Sequence, residues 1–225
     1  MREVSSELSD AGNEALRGLQ LCKVHIAIAD RQLIAVSSAI APGEILTVMG
    51  PSGSGKSALL AYIAGTLAPA FVASGDILLD GRRLNALPSE ARRTGILFQD
   101  DLLFPHLSVA GNLAFALSPE VRGAAARLRA ISAALSSADL PGFAHRDPAT
   151  LSGGQRARVA LLRVLLSQPR ALLLDEPFSK LDAALRAQFR AFVFSEARRH
   201  QLPTIMVTHD PADATAAKGR VIALD

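Results

Sequence analysis

The sequence has little with which to build disulfides, aromatic clusters or membrane spans. Its single cysteine, Cys22, excludes an intrachain disulfide and fits a reducing compartment. Aromatic residues make up only 4% of the 225 residues and hydrophobic residues 49%, so the core must consist of Ala, Leu, Val and Ile. Apolar runs such as Ala171–Leu174 are far shorter than the roughly 18 residues that predict a transmembrane helix. The length suits one large domain or two small ones.

An excess of one charge sign is also absent. Lys and Arg number 24 against 21 Asp and Glu, a formal net charge of +3. The basic residues are scattered and not interleaved with aromatics, which predicts a solvated surface and no nucleic-acid partner. Residues 1–17 are polar and of mixed charge, without the apolar segment of a signal peptide, and we expect them to form a loose tail.

Hydrophobic patterning predicts an α/β fold. Short strands are expected over residues 19–48, and residues 75–84 are expected to form a hairpin arm with Asp80-Gly81 as its turn. Residues 95–98 form another candidate buried strand. The runs ALLLDE and TIMVTH end in polar residues, as parallel strands of a doubly wound sheet do.

The region of about 104–168 is predicted to be a helical insert within a domain that spans residues 18–225. From Pro119 to about Leu140, apolar residues recur at steps of three or four, which indicates a helix. That stripe consists of Val121, Ala125, Leu128, Ile131 and Leu135, and Arg127 lies off it. A second helix, RVALLRVLLSQ, is expected to stop at Pro169.

The stretch GPSGSGKS fits the pattern G-x-x-x-x-G-K-[ST] of a loop that cradles phosphates. A predicted strand precedes it and a predicted helix follows it, so backbone N–H groups and the positive end of the helix face an anion. Lys56 is expected to reach the outer phosphates, and the Ser57 hydroxyl to ligate magnesium. The alternative is a glycine-rich turn without a ligand. The candidate loop residues are Gly50, Pro51, Ser52, Gly53, Ser54, Gly55, Lys56 and Ser57.

Two carboxylates follow the apolar run ALLLDE. Asp175 is placed to hold a metal ion through water, and Glu176 to polarise an attacking water. Adjacent carboxylates at a strand end also occur as a plain solvated terminus, but their pairing with the phosphate loop favours a triphosphate site with Mg²⁺.

A second glycine-rich stretch, LSGGQ, stands at Leu151–Gln155. Thr150 or Ser152 can cap a helix there, and the two glycines leave amides bare toward an anion. One nucleotide has one triphosphate, which the first loop already wraps, so a second copy of the chain could present this cradle. A plain helix start is the other interpretation, and the residues alone do not decide between the two.

These motifs together resemble the ATP-binding subunit of ABC transporters, from about Leu19 to Asp225. The resemblance implies a RecA-like core, Walker A at GPSGSGKS, Walker B at ALLLDE, and a signature motif that completes the partner subunit's ATP site. That signature consists of Ser152, Gly153, Gly154 and Gln155. The resemblance also makes Gln99 the glutamine that senses γ-phosphate and metal, Asp182 a dimer contact, and His209 a holder of the γ-phosphate.

A narrower resemblance concerns FQDDLLFPHLSVAGNLAFAL, which is similar to importer ATPases for small solutes such as polyamines, iron, sulfate and thiamine. In those proteins this region receives a helix of the permease. The stretch is more apolar than a free loop needs, and packing inside the insert is an equally weighted alternative. The apolar residues concerned are Leu102, Leu103, Phe104, Leu107 and Val109.

Two positions depart from the family pattern. Members usually stack an aromatic side chain on adenine from the arm before Walker A, whereas Ile28 is the nearest match here. Ala58 replaces a residue whose hydroxyl is usually close to the α-phosphate. The isoleucine supplies apolar contact without a π-face, so we expect poor discrimination between ATP and GTP.

The resemblance implies an ATPase that uses ATP and Mg²⁺, forms a head-to-tail homodimer and works peripherally on the cytoplasmic side of the plasma membrane. Its expected partners are permease subunits and a periplasmic or surface solute-binding protein. Three alternatives are kept: an exporter ATPase, a soluble ABC ATPase of DNA repair or translation, and a nucleotide-gated binding module with negligible turnover.

Overall fold

The computed structural model describes residues 17–224. The predicted N-terminal tail therefore lies outside the described residues, apart from Arg17. Within residues 17–224, no helix is both long enough and apolar enough to cross a bilayer.

The strands form two sheets. In chain order they are β1 (Leu19–Ile28), β2 (Arg31–Ile40), β3 (Ile45–Met49), β4 (Phe71–Leu79), β5 (Arg82–Arg83), β6 (Thr94–Leu97), β7 (Ala171–Asp175), β8 (Thr204–Thr208) and β9 (Val221–Ala223). The antiparallel sheet has the order β2-β1-β4-β5, and the parallel sheet has the order β6-β7-β8-β3-β9. The prediction of an α/β fold with a β-rich N-terminal arm is thus confirmed.

The antiparallel arm differs from its prediction at one end. Asp80 and Gly81 make the expected turn, with φ of 48° and 76°, between β4 and β5. Strand β4, however, begins at Phe71, four residues before the predicted start at Gly75. The extension is paired with β1 as far as Phe71 opposite Ile28, and these additional ladder bonds stabilise a stretch whose own sequence carries little strand signal.

The parallel sheet forms the centre of the molecule. Strands β3, β7 and β8 are almost wholly buried, as expected of parallel strands covered on both faces. All four of its pairings are parallel, so the carboxyl ends of the strands meet along one edge. Ligands of open α/β sheets bind at that edge.

The helices are α1 (Lys56–Ala64), α2 (Val109–Ala116), α3 (Ala124–Ser137), α4 (Gly153–Leu166), α5 (Ala183–Arg199) and α6 (Pro211–Ala217). Short 3₁₀ turns occupy Ser89–Ala91 and Pro148–Thr150. Residues of α4 and α5 share one apolar cluster with strands β6, β7 and β8. A separate cluster joins α2, α3 and the other face of α4.

The helix predicted from Pro119 to about Leu140 is shorter and differently oriented. It begins at Ala124, after Gly123 with φ of 84°, and ends at Ser137. Ile131 and Leu135 are buried as predicted, but Leu128 is 58% exposed. Arg127 lies off the predicted stripe but turns inward, because its guanidinium donates a 2.7 Å hydrogen bond to the Ala114 carbonyl of α2. This contact between α2 and α3 buries a face of α3 that differs in part from the one that the apolar stripe predicted.

Candidate functional site

The phosphate loop lies between the end of β3 and the start of α1. Gly53 and Gly55 have φ of 82° and 91°, a conformation that favours glycine. A Cβ atom on Gly55 would lie 2.8 Å from the Cβ of Leu33, so the loop also needs the missing side chain for space. The backbone therefore takes the wrapped form that the sequence predicted.

Lys56 is held inside this loop. Its ammonium donates hydrogen bonds of 2.7 Å to the Gly50 carbonyl and 2.8 Å to the Pro51 carbonyl, and its side chain is only 6% exposed. The Ser54 hydroxyl is also buried and has no hydrogen-bond partner within the described residues. Ala58 is buried at the start of α1. The loop thus holds a fixed positive charge and an unpaired hydroxyl.

Ser57 and Asp175 meet across the sheet edge. The Ser57 hydroxyl donates a 3.0 Å hydrogen bond to Oδ1 of Asp175, although the two residues are 118 positions apart. Burial raises the pKa of the Asp175 carboxyl, the Ser57 hydrogen bond opposes the rise, and the nearby Glu176 adds to it. A hydroxyl and a partly desolvated carboxylate are hard oxygen ligands, so this pair fits Mg²⁺ held together with phosphates.

Glu176 follows Asp175 and connects two charged side chains. Its Oε2 lies 3.0 Å from Nδ1 of His209 and its Oε1 lies 4.0 Å from Nζ of Lys56. The residue has φ of 45°, in the left-handed region that non-glycine residues seldom adopt. Its amide donates to the Val207 carbonyl of β8, which holds this conformation. The sequence-predicted Lys56, Asp175, Glu176 and His209 are therefore brought together.

A cavity of about 340 Å³ opens beside the loop. Ile28 lies in its wall, as the sequence predicted for the base end of the site. Three further lining residues were not predicted: Arg31, Leu33 and Phe71. Phe71 lies here because β4 pairs with β1 as far as Ile28, and its own stretch carries little strand signal by which it could have been predicted.

Two predicted residues have no contact with this group. Gln99 is exposed two residues after β6, and within residues 17–224 no hydrogen bond joins it to the phosphate loop. Pairing of Leu97 with Leu174 nevertheless places it at the same sheet edge as Asp175. Asp182 instead caps α5, where its Oδ1 accepts a 3.0 Å hydrogen bond from the Leu185 amide.

The LSGGQ stretch begins α4. Ser152 is the N-cap, and its hydroxyl accepts from the Gln155 amide while Oε1 of Gln155 accepts from the Ser152 amide. Gly153 is open to one side, whereas Gly154 is buried against Leu185. Ser152, Gly154 and Gln155 line a cavity of about 210 Å³ that shares no residue with the one beside the phosphate loop. A single chain therefore has these two anion-suited features in separate places.

Asp100 and Asp101, which follow Gln99, form ion pairs with two distant parts of the chain. Asp100 forms an ion pair with Lys180, two residues before Asp182. Asp101 forms a 2.9 Å ion pair with Arg156 of α4, directly after the LSGGQ stretch. Neither pair was predicted from the sequence, because each joins side chains that are more than 50 positions apart.

An apolar groove lies next to these ion pairs. It has a volume of about 480 Å³, and its lining includes Phe98, Leu102, Phe104 and Phe115. Phe98, Leu102 and Phe115 are 45%, 56% and 73% exposed. Of the residues that the sequence offered for permease docking, Val109 is fully buried and is therefore core.

The other docking candidates differ in their surroundings. Leu103 is half-buried and packs against two core clusters. Phe104 packs edge-to-face with Phe115 at a centroid distance of 5.0 Å. The fully buried Asn112 holds the Phe104 amide and carbonyl through hydrogen bonds of 2.7 and 3.1 Å. Leu107 is half-buried. Leu102 is therefore the most open of the five.

Comparison with known proteins gives one consistent family. The family described as "ABC transporter" matches residues 33–179. The chain is 53% identical over 186 residues to an uncharacterized ABC transporter ATP-binding protein, YnjD, of Escherichia coli (strain K12), covering 83% of this chain and 85% of that protein. It is 45% identical over 204 residues to the thiamine import ATP-binding protein ThiQ of Cereibacter sphaeroides, covering 91% and 87%.

A solved structure agrees with this result. The dimeric post-hydrolysis state of the ATP-binding cassette MJ0796, bound to ADP and Pi, superimposes with a TM-score of 0.76 at 28% identity. The match covers 92% of this chain and 94% of that chain.

Proposed function

The chain belongs to the ABC transporter ATP-binding family, and from that premise we propose that its ATP hydrolysis drives a membrane permease that imports a small solute. Members of this family bind ATP and are ATPases. The observation that carries the proposal is the meeting of Lys56, Ser57, Asp175, Glu176 and His209 at the carboxyl edge of the parallel sheet. A plain glycine-rich turn would not bring these five side chains together.

The residues have separable roles. The loop amides and Lys56 bind the β- and γ-phosphates, and the Gly50 and Pro51 carbonyls hold the ammonium within the loop. Ser57 and Asp175 would hold Mg²⁺, which supplies charge neutralisation on the phosphates when it is bound. Glu176 orients a water and accepts its proton, and His209, expected to hold the γ-phosphate, contacts the Glu176 carboxylate at 3.0 Å. Gln99 is proposed to reach the site from the neighbouring strand end.

A second copy of the chain completes the site. Ser152, Gly154 and Gln155 line a cavity that shares no residue with the one beside their own phosphate loop. We propose that they cover the γ-phosphate bound by a partner chain in a head-to-tail homodimer, with Asp182 near that contact. The dimeric state of the ADP-bound cassette supports this arrangement.

The apolar groove is proposed to receive a helix of the permease. Three of its side chains, those of Phe98, Leu102 and Phe115, are more exposed than large apolar residues usually are. Import is favoured over export by relatives described as import ATPases, including those for thiamine and for spermidine/putrescine. The chain spans 48% of the spermidine/putrescine relative. A solute-binding protein and a position on the cytoplasmic face of the membrane follow from that proposal.

The test is co-expression with a candidate permease of a small-solute import system from the same genome, followed by purification in detergent. Leu102→Asp and Phe115→Asp each place a charge in the groove and should abolish co-purification, while Mg-ATP binding and the melting temperature stay unchanged. Leu128→Asp is the matched control, because Leu128 is an equally exposed leucine outside the groove. Co-purification that survives both groove variants, or is lost equally with the control, would contradict docking at this groove.

A further inference from the structure

Three residues of the antiparallel arm form one row across adjacent strands. Ile28 of β1 is paired directly with Phe71 of β4 on one side and with Arg31 of β2 on the other. Directly opposed residues in neighbouring strands project to the same face of a sheet. The three side chains therefore share a face.

This row continues the wall of the phosphate loop. Phe71, Ile28 and Arg31 line the same cavity of about 340 Å³ as Lys56 and Ser57. A nucleotide whose phosphates lie on the loop must direct its base along that wall. The cavity thus has a phosphate end built from backbone and Lys56, and an opposite end built from the row.

We propose that Phe71 supplies the aromatic face on which the nucleotide base stacks, with Ile28 beneath it and the guanidinium of Arg31 at its edge. The proposal rests on the ATP-binding function proposed above. It assigns base binding to β4, after the phosphate loop in the sequence, and so explains how the site works with an isoleucine at position 28.

The chemistry of the row suits a base. Phe71 is the aromatic residue among those that line the cavity, and it is half-buried, so its ring is partly open to a ligand. Tyr62 is another aromatic residue, but its hydroxyl is already bound. It donates a 2.8 Å hydrogen bond to the Gly75 carbonyl and accepts one from Asn85. Among the described residues Arg31 has no ion-pair partner, which leaves its planar cation available for a base.

Extension of β4 is what places Phe71 there. Pairing between β1 and β4 runs to the tip of both strands, with Ala27 opposite Val72 and Ile28 opposite Phe71. Val72 projects to the other face and is 70% exposed. The two adjacent residues therefore offer an internal comparison, since one lies in the cavity and the other does not.

The experiment uses the full chain and two probes, Mg–AMP-PNP and Mg–tripolyphosphate, measured by isothermal titration calorimetry. Tripolyphosphate has the phosphates but no base. Phe71→Leu keeps an apolar side chain and removes the ring. The affinity for AMP-PNP should fall about 5- to 50-fold, while the affinity for tripolyphosphate should change less than about twofold. The affinity for GMP-PNP should fall by the same factor, because stacking on an aromatic ring does not depend on which base is bound. Phe71→Tyr and the control Val72→Ala should bind all three probes like the wild type.

The outcomes separate the inference from the function on which it rests. Unchanged AMP-PNP affinity in Phe71→Leu would overturn base stacking by Phe71 while leaving the ATPase intact. An equal loss of AMP-PNP and tripolyphosphate would also overturn it, because the defect would then lie in the phosphate loop. A wild-type chain that binds neither probe would reject the ATP site itself.

Discussion

The arrangement of LSGGQ opposite a partner's nucleotide can be tested by trapping the dimer. Glu176→Gln removes the carboxylate that accepts a proton from water and keeps its shape, including the contact to His209 at 3.0 Å. Bound ATP should then persist, and two chains should be held together by the nucleotide. Adding Ser152→Arg should prevent this, because the long side chain blocks access to the amides of Gly153 and Gly154.

The expected effects of Ser152→Arg on folding and on dimerisation follow from the interactions that the substitution removes. Loss of the Ser152 cap costs about 1 kcal/mol of helix stability, and a cation at the helix N-terminus adds about 0.3–1 kcal/mol. A domain with about 5–15 kcal/mol of stability remains folded after such a loss. In the dimer, one charge-assisted hydrogen bond lost at each of two sites, at about 1.5–3 kcal/mol apiece, raises the dissociation constant about 100- to 20,000-fold.

The assay is size-exclusion chromatography with light scattering, with and without Mg-ATP. Glu176→Gln should form a dimer only with Mg-ATP, and the double variant should bind ATP yet stay monomeric. Ser152→Ala in the same background is the control, since it loses the cap but leaves the amides open. A Glu176→Gln protein that binds ATP and stays monomeric refutes the composite site. A dimer that persists with Ser152→Arg, or fails equally with Ser152→Ala, refutes the role of the amides.

Three further predictions concern single residues. Lys56→Ala should abolish phosphate release and weaken Mg-ATP in calorimetry, because the outer phosphates lose a fixed charge; normal turnover would contradict the assignment. Asp175→Asn should raise the melting temperature of the nucleotide-free protein near neutral pH. Burial raises the pKa of the Asp175 carboxyl above its ordinary value of 3.8, so the wild type loses stability as pH rises through the folded-state pKa, and the difference should vanish below about pH 4. Arg92→Met should lower the urea unfolding free energy by about 2–4 kcal/mol, because the buried guanidinium serves four backbone carbonyls, whereas exposed Arg93→Met should change it by less than about 0.5 kcal/mol.

Local sequence was sufficient for the phosphate end of the site. Gly53 and Gly55 have positive φ for reasons set within a few residues, and Lys56 and Ser57 follow them directly on α1. The α/β fold was equally predictable, because β3, β7 and β8 are mostly apolar segments that end at one sheet edge. Most of these features depend on near neighbours in the chain, although Gly55 must also leave space for Leu33 of β2.

The end of the cavity where we propose that the base binds was predicted only in part, through Ile28. Phe71 reaches it only because β4 extends to pair with the tip of β1, and strand register is a property of two distant segments. The buried face of α3 shows the same limit. Arg127 turns inward to bind a carbonyl of α2, and the apolar periodicity of α3 carries no information about that partner. Asp182 was predicted as a dimer contact and Gln155 as part of the signature motif, and the structure adds a capping role for each.

The segment after Gln99 shows how groove and nucleotide sites could communicate. Leu102 lines the groove, and its carbonyl accepts a 2.6 Å hydrogen bond from Arg163 of α4. One residue earlier, Asp101 binds Arg156 of the same helix, and Asp100 binds Lys180 close to Asp182. If a permease helix displaces Leu102, we expect it to disturb these contacts to α4 and to the segment before Asp182, which the proposed dimer turns toward its partner's ATP. Coupling through this segment requires no long pathway, because the groove and both elements are joined within three consecutive residues.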